Sequence, residues 1–138
     1  MENLNIQGSH GTYFVPSVKF NARTGICELA GESYLEETIK FYDKLLRWID
    51  QYIKDTGSPI TFNIKLTYFN TSSSRAILDI LVMLRNYEEN GGKVVINWFY
   101  DEKDIDMQEE IEDYMLESEM DINMIPVAIS DDEENIED

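Results

Sequence analysis

The sequence predicts an α/β domain: a mixed, mainly parallel sheet flanked by helices, with an N-terminal β-hairpin. Three observations carry that expectation. Residues 60–68 alternate strictly, with Ile60, Phe62, Ile64, Leu66 and Tyr68 on one face, which is the period of two of a strand. Leu35, Ile39, Tyr42, Leu46, Ile49 and Ile53 follow one another at steps of four and three, the stripe of a helix. Residues 93–100 (KVVINWFY) are apolar almost throughout, as in a strand covered on both faces. Strands that alternate with helices favour right-handed crossovers and parallel pairing.

The elements follow in order. Residues 1–11 are polar and are expected to be flexible. Thr12 to Phe20 is rich in aromatic and β-branched residues and reads as a strand; Pro16 cannot donate to a ladder, which places it at an edge or in a bulge. NARTG (21–25) turns the chain into ICELAG, closing the hairpin. Ser33 and Glu36 have the spacing of a capping box, so a helix is expected to start there. Phe41, Leu45, Trp48 and Tyr52 add a second stripe to that helix. The combined face is wider than the ~100° of a simple surface helix, so it belongs either to the core or in part under a partner. TGSP (56–59) ends the helix. After the alternating strand come Phe69, the polar run NTSSSR (70–75) and an amphipathic helix through Ile77, Ile80, Leu81, Leu84 and Tyr87, stopped by Gly91 and Gly92. Beyond Tyr100 an acidic helix carries a thin stripe of Met107, Ile111, Tyr114 and Met115. Residues 122–129 read as a short edge strand despite Pro126, and SDDEENIED (130–138) as a disordered acidic tail. One domain over 12–129 is expected.

Charge narrows the function. The 138 residues hold 28 Asp and Glu against 11 Lys and Arg, a formal net charge of −17. Residues 1–100 hold 11 acids and 10 bases, whereas residues 101–138 hold 17 acids and one base. A near-neutral body thus carries an acidic end. Phosphate neutralisation by a nucleic-acid binder needs a basic surplus, and no apolar run approaches the ~20 residues that span a bilayer. MENLNIQGSHG lacks the basic start and apolar stretch of a signal peptide, and the single cysteine, Cys27, fits a reducing compartment. A cytoplasmic location is expected, with Cys27 as a buried structural thiol.

Scaffold-anchored catalysis has little to work with. The only histidine is His10, in the polar N-terminal segment, and one Cys with one His cannot build the usual zinc site. Gly91 and Gly92 precede a strand instead of opening a helix, unlike a phosphate cradle. The acidic stretch fails the EF-hand pattern in both frames tried, from Asp101 and from Asp104. No metal or cofactor is expected.

The informative segment is NTSSSR. Thr71, Ser72, Ser73 and Ser74 lie where the clearest strand hands over to a helix, beside that helix's unsatisfied N–H groups. One cap needs one such residue, and Asn70, Thr71 or Ser72 would each serve. A phosphoryl group there would gain from the helix N-terminal field, and Arg75, one turn beyond Thr71, could approach it. It would add about 1.5 to 2 negative charges, enough to block a docking partner. Spacing does not choose among the four hydroxyls.

GESYLEETIKFYDKLLRWI (31–49), LTYFNTSSSRAILDIL (66–81) and VVINWFYDEKDID (94–106) resemble the three signature blocks of the SiaC family of bacterial regulatory phosphoproteins, collinearly over roughly residues 12–125. That resemblance implies a STAS-like fold. It also implies a non-enzymatic switch: a kinase of the histidine-kinase ATPase fold phosphorylates the threonine of the Asn-Thr-Ser-Ser motif and a PP2C-type phosphatase reverses it. The unphosphorylated form then binds and activates a diguanylate cyclase, raising cyclic di-GMP and favouring biofilm. By position the acceptor is Thr71, with Asn70, Ser72 and Ser73 completing the motif. A docking surface around Thr71 is expected to include Ser74 and Arg75 and to draw on Tyr68, Phe69 and Tyr100, the alternative being that these aromatics lie wholly in the core. The acidic tail has no counterpart in that pattern. The competing expectation is an acidic scaffold or decoy that binds basic partners through residues 101–138, with NTSSSR acting only as a cap.

Overall fold

A computed structural model describes residues 1–128; the tail expected over 130–138 lies outside the described residues. Its strands are β1 (Leu4–Ile6), β2 (Ser9–His10), β3 (Phe14–Val15), β4 (Ser17–Phe20), β5 (Ile26–Ser33), β6 (Ile60–Phe69), β7 (Val94–Asp101) and β8 (Asn123–Val127). Its helices are α1 (Thr38–Thr56), α2 (Thr71–Glu89) and α3 (Ile105–Ser118). Six strands form one sheet in the order β1-β4-β5-β6-β7-β8, and β2 with β3 forms a separate two-stranded sheet. β1, β4 and β5 pair antiparallel, while β5 to β8 pair parallel. The expected mixed, mainly parallel sheet with an N-terminal hairpin is the fold observed.

The three crossovers β5-α1-β6, β6-α2-β7 and β7-α3-β8 all step in the same direction along the sheet. Right-handed connections that never reverse place every helix on one face. The core accordingly forms a single cluster, in which Leu29, Phe62, Ile64 and Trp98 of the sheet meet Leu45, Ile49, Leu81 and Ile111 of the helices. This corrects the expectation for 93–100, because one face alone is covered among the described residues. Val95 is exposed, and Asn97 and Phe99 are half-buried. On that open face Asn63, Asn97 and Asn123 form a ladder of side-chain hydrogen bonds at 2.9 Å each. Lys65 pairs with Glu28 at 2.8 Å and lies over the Phe99 ring.

Other local expectations shift for identifiable reasons. Pro16 splits the expected strand Thr12–Phe20 into β3 and β4, which enter different sheets. Residues 1–11, expected to be flexible, carry β1 along the edge of β4 and β2 against β3. Trp48 holds the start of the chain by donating its indole N–H to the Glu2 carbonyl at 2.9 Å, and His10 stacks on Phe14 with ring centroids 3.8 Å apart. α1 begins at Thr38, with Glu37 before it making no side-chain cap. Ser33 is therefore no cap: it ends β5, fully buried. The stripe Phe41, Leu45, Trp48 and Tyr52 packs into the core, while Ile39 at the start of α1 remains 85% exposed. Gly57 ends α1 at φ +60°, a left-handed turn that suits glycine.

Two stability predictions follow from the packing. Phe62 is fully buried and meets Phe20 edge-on at 5.5 Å, so Phe62→Ala is expected to cost about 3–5 kcal/mol. A lowered urea midpoint at unchanged slope checks this. Burial pushes the Cys27 thiol from 9.0 up to about 12. Above pH 9 the unfolded chain therefore binds fewer protons than the folded one. The stability linked to Cys27 is complete below about pH 9 and falls as pH rises towards 12, by up to about 1.4 kcal/mol per pH unit. Urea midpoints measured from neutral to alkaline pH should fall less steeply for Cys27→Ala than for the wild type.

Candidate functional site

The parallel strands β5, β6 and β7 end at one edge of the domain, where α1, α2 and α3 begin. β6 reaches that edge through an irregularity: Gly31 pairs with Leu66 but Glu32 pairs with Tyr68, leaving Thr67 as an extra residue. An extra residue reverses the facing of everything after it. Tyr68, expected at the docking surface, is 46% exposed, whereas Phe69, expected there as well, turns inward to pack beside Trp98 and Tyr114. Tyr100 does not join the surface. Alternation along β7 sends it inward with Ile96 and Trp98, so its expected place in a docking surface is not what the structure has.

Asn70 caps α2 from an extended backbone, its side-chain oxygen accepting from the Ser73 N–H at 3.0 Å. The hydroxyls that follow have different fates. Ser73 is fully buried. The Ser33 hydroxyl donates to Ser73 Oγ at 2.7 Å, and the Ser73 hydroxyl donates to the Ser33 carbonyl at 3.2 Å. With the Ser33 proton so used, the Tyr42 hydroxyl, 2.7 Å from Ser33 Oγ, is the donor of that third bond. Burial pushes the Tyr42 phenol up to about 12, against smaller downward effects of the Ser33 and Ser73 bonds, so it keeps its proton at neutral pH.

Ser74 is half-buried and faces α3. Tyr114 donates to the Ser74 carbonyl at 3.0 Å, which leaves the Ser74 hydroxyl to donate to Tyr114 Oη at 2.8 Å. The cleft beside this pair is lined by Asp106, Glu109, Glu110 and Asp113. Partial burial, followed by the charges of Asp113, Asp106 and Asp104, raises the Glu110 carboxyl above its ordinary value. Ser72 is exposed, donates to Asn70 Oδ1 at 3.2 Å and accepts from the Thr38 hydroxyl at 2.9 Å. Thr71 is also exposed, and its hydroxyl makes no hydrogen bond within the described residues. Arg75 does not turn back to Thr71: its guanidinium pairs with Asp79 at 3.5 Å, one turn further along α2.

NTSSSR was legible as a strand-to-helix junction; the residues that sort its hydroxyls were not. Ser33, Thr38, Tyr42 and Tyr114 come from β5, α1 and α3. One signal was available: in β5 Ser33 falls in phase with Cys27 and Leu29, a polar residue at an inward position.

The fold is an α/β domain whose three helices start at one edge, with an exposed, unengaged Thr71 hydroxyl at the start of the middle helix. The chain belongs to the SiaC family of regulatory phosphoproteins, whose model matches residues 9–127. An uncharacterized protein of Pseudomonas aeruginosa (strain UCBPP-PA14) is 28% identical over 114 residues, covering 83% of this chain and 88% of the relative. The crystal structure of apo-SiaC from Pseudomonas aeruginosa is similar with a TM-score of 0.83 at 26% identity, covering 91% of this chain and 99% of that one. The same fold, with a TM-score of 0.80 at 24% identity over 88% of this chain and 100% of that one, occurs in the structure of the diguanylate cyclase SiaD in complex with its activator SiaC from Pseudomonas aeruginosa. Among the described residues no helix is long and apolar enough to cross a membrane.

Removing the cap or the buried donor should loosen this edge. Asn70→Ala is expected to cost about 1 kcal/mol. Tyr42→Phe, which keeps the ring and deletes one buried donor, should cost a similar ~1 kcal/mol. Urea unfolding of each variant measures both.

Proposed function

We propose that this chain is a non-enzymatic, cytoplasmic switch that activates a diguanylate cyclase while Thr71 is unphosphorylated and releases it when Thr71 carries phosphate. A kinase of the histidine-kinase ATPase fold adds the group and a PP2C-type phosphatase removes it. Family membership supports the class of protein, and Pseudomonas aeruginosa SiaC, which activates SiaD, supports the class of partner. The observation that carries the choice of acceptor is the unequal engagement of four adjacent hydroxyls. Ser72, Ser73 and Ser74 are held by Thr38, Ser33 and Tyr114, while Thr71 is exposed and unengaged.

The switch is electrostatic. A phosphoryl group at the first turn of α2 is stabilised by the helix N-terminal field and adds about 1.5 to 2 negative charges. Those charges land at the edge where Tyr68 at the end of β6 and Ile39 at the start of α1 are exposed, apolar groups that a partner would cover. Burying a phosphate against an apolar partner surface is costly unless a cation meets it, and Arg75 is turned towards Asp79.

Phosphate mapping after incubation with the kinase and ATP should place the group on Thr71. Phosphate on no residue from 70 to 74 would overturn the proposal. Thr71→Ala is expected to bind the cyclase nearly as well as the wild type, whereas Thr71→Asp should bind roughly tenfold more weakly. Equal affinity of the two variants, measured by calorimetry, would rule out the electrostatic mechanism. Truncation after Ile129 distinguishes the acidic-scaffold reading, which requires binding to vanish with the tail.

A further inference from the structure

We propose that Thr38 is a specificity-determining residue for phosphate transfer to this chain: its hydroxyl engages Ser72 and so keeps that neighbour from acting as a second acceptor. The inference rests on the reading of Thr71 as the acceptor. Burial closes Ser73, and Ser74 is half-buried, bonded to Tyr114 and beside the carboxylates of α3. Neither barrier protects Ser72. It is exposed, follows Thr71 directly, and opens onto the same groove between α1 and α2 as Ile39, Leu46 and Arg75.

Thr38 supplies the missing barrier. It is the first residue of α1 and is buried although polar, and its hydroxyl caps nothing in its own helix. That hydroxyl donates across the groove to Ser72 Oγ at 2.9 Å, while the Ser72 proton goes to Asn70 Oδ1. For Ser72 to react, its Oγ must form a bond to the γ-phosphorus of ATP as the bond from that phosphorus to the β–γ bridging oxygen breaks. The bonding pair then leaves on ADP, and the hydroxyl proton passes to a base of the kinase. Ser72 must withdraw its proton from Asn70 and turn Oγ towards the phosphorus against the bond from Thr38, which fixes its rotamer and, by engaging one of its two lone pairs, lowers its nucleophilicity. Thr71 gives up nothing. A hydrogen bond lost before reaction slows Ser72 by about five- to tenfold.

The test uses the full chain, the protein kinase that modifies the wild type, Mg-ATP and site mapping by mass spectrometry. Thr71→Ala should carry little phosphate on Ser72. Adding Thr38→Val, which keeps the shape and removes the hydroxyl, should raise Ser72 phosphate about five- to tenfold over Thr71→Ala alone. Adding Thr38→Ser instead should restore the low level. Thr38→Ala in the same background serves if the valine variant fails to fold, judged by circular dichroism. Equal Ser72 phosphate with and without the Thr38 hydroxyl overturns the inference while leaving Thr71 as the acceptor. Phosphate spread over Ser73 and Ser74 as well, the pattern of a loosened edge, also overturns it. A wild-type chain that takes no phosphate from 70 to 74 overturns both this inference and the switch beneath it.

Discussion

At the end of β5 the buried Ser33 offers both a hydroxyl and a carbonyl to the elements around it. Its hydroxyl donates to Ser73 of α2 and accepts from Tyr42 of α1, and its carbonyl accepts from the Asn70 N–H and the Ser73 hydroxyl. Strand, helix start and neighbouring helix are therefore joined through one residue inside a low-dielectric interior. There each bond is strong and each missing one is costly. The position of α2 relative to α1 depends on this bridge. So does the surface that α2 exposes, because with Ser73 drawn inward the 3.6-residue period turns Thr71 and Ser72 outward.

The edge exists because the crossovers never reverse direction. With all three helices on one face and three parallel strands ending together, the helix N-termini collect at one edge. The cost, among the described residues, is a second face of the sheet with no helix over it. Asn63, Asn97 and Asn123 satisfy one another there, and the Lys65–Glu28 pair leans across Phe99. On that face paired side-chain amides take the place of the apolar residues of a sheet covered on both sides.

Charge is arranged around the edge with a consistent sense. The carboxylates of α3 line the cleft next to Ser74, and Asp79 occupies Arg75. An anion arriving on the α3 side would meet repulsion, while one at Thr71 meets the helix terminus. The large negative charge of the chain thus matters here through its position. Most of it lies beyond residue 100, and the carboxylates of α3 bring part of it to the cleft beside Ser74.

By itself the sequence determined the order of strands and helices, the sheet class and the junction at NTSSSR. Those depend on hydrophobic period and on capping chemistry, which act over a few residues. It also singled out the segment 70–75, through a surplus of hydroxyls beyond what a cap requires. Tertiary structure alone decided which of those hydroxyls is open. It decided as well that Ser33 bridges instead of capping and that Tyr68 and Phe69 exchange faces. Each of these turns on a partner 34 or more residues away in the chain, such as Thr38 for Ser72, Ser33 for Ser73 and Tyr114 for Ser74. A local pattern proposes a hydroxyl, but only the packing of distant elements engages it or leaves it free.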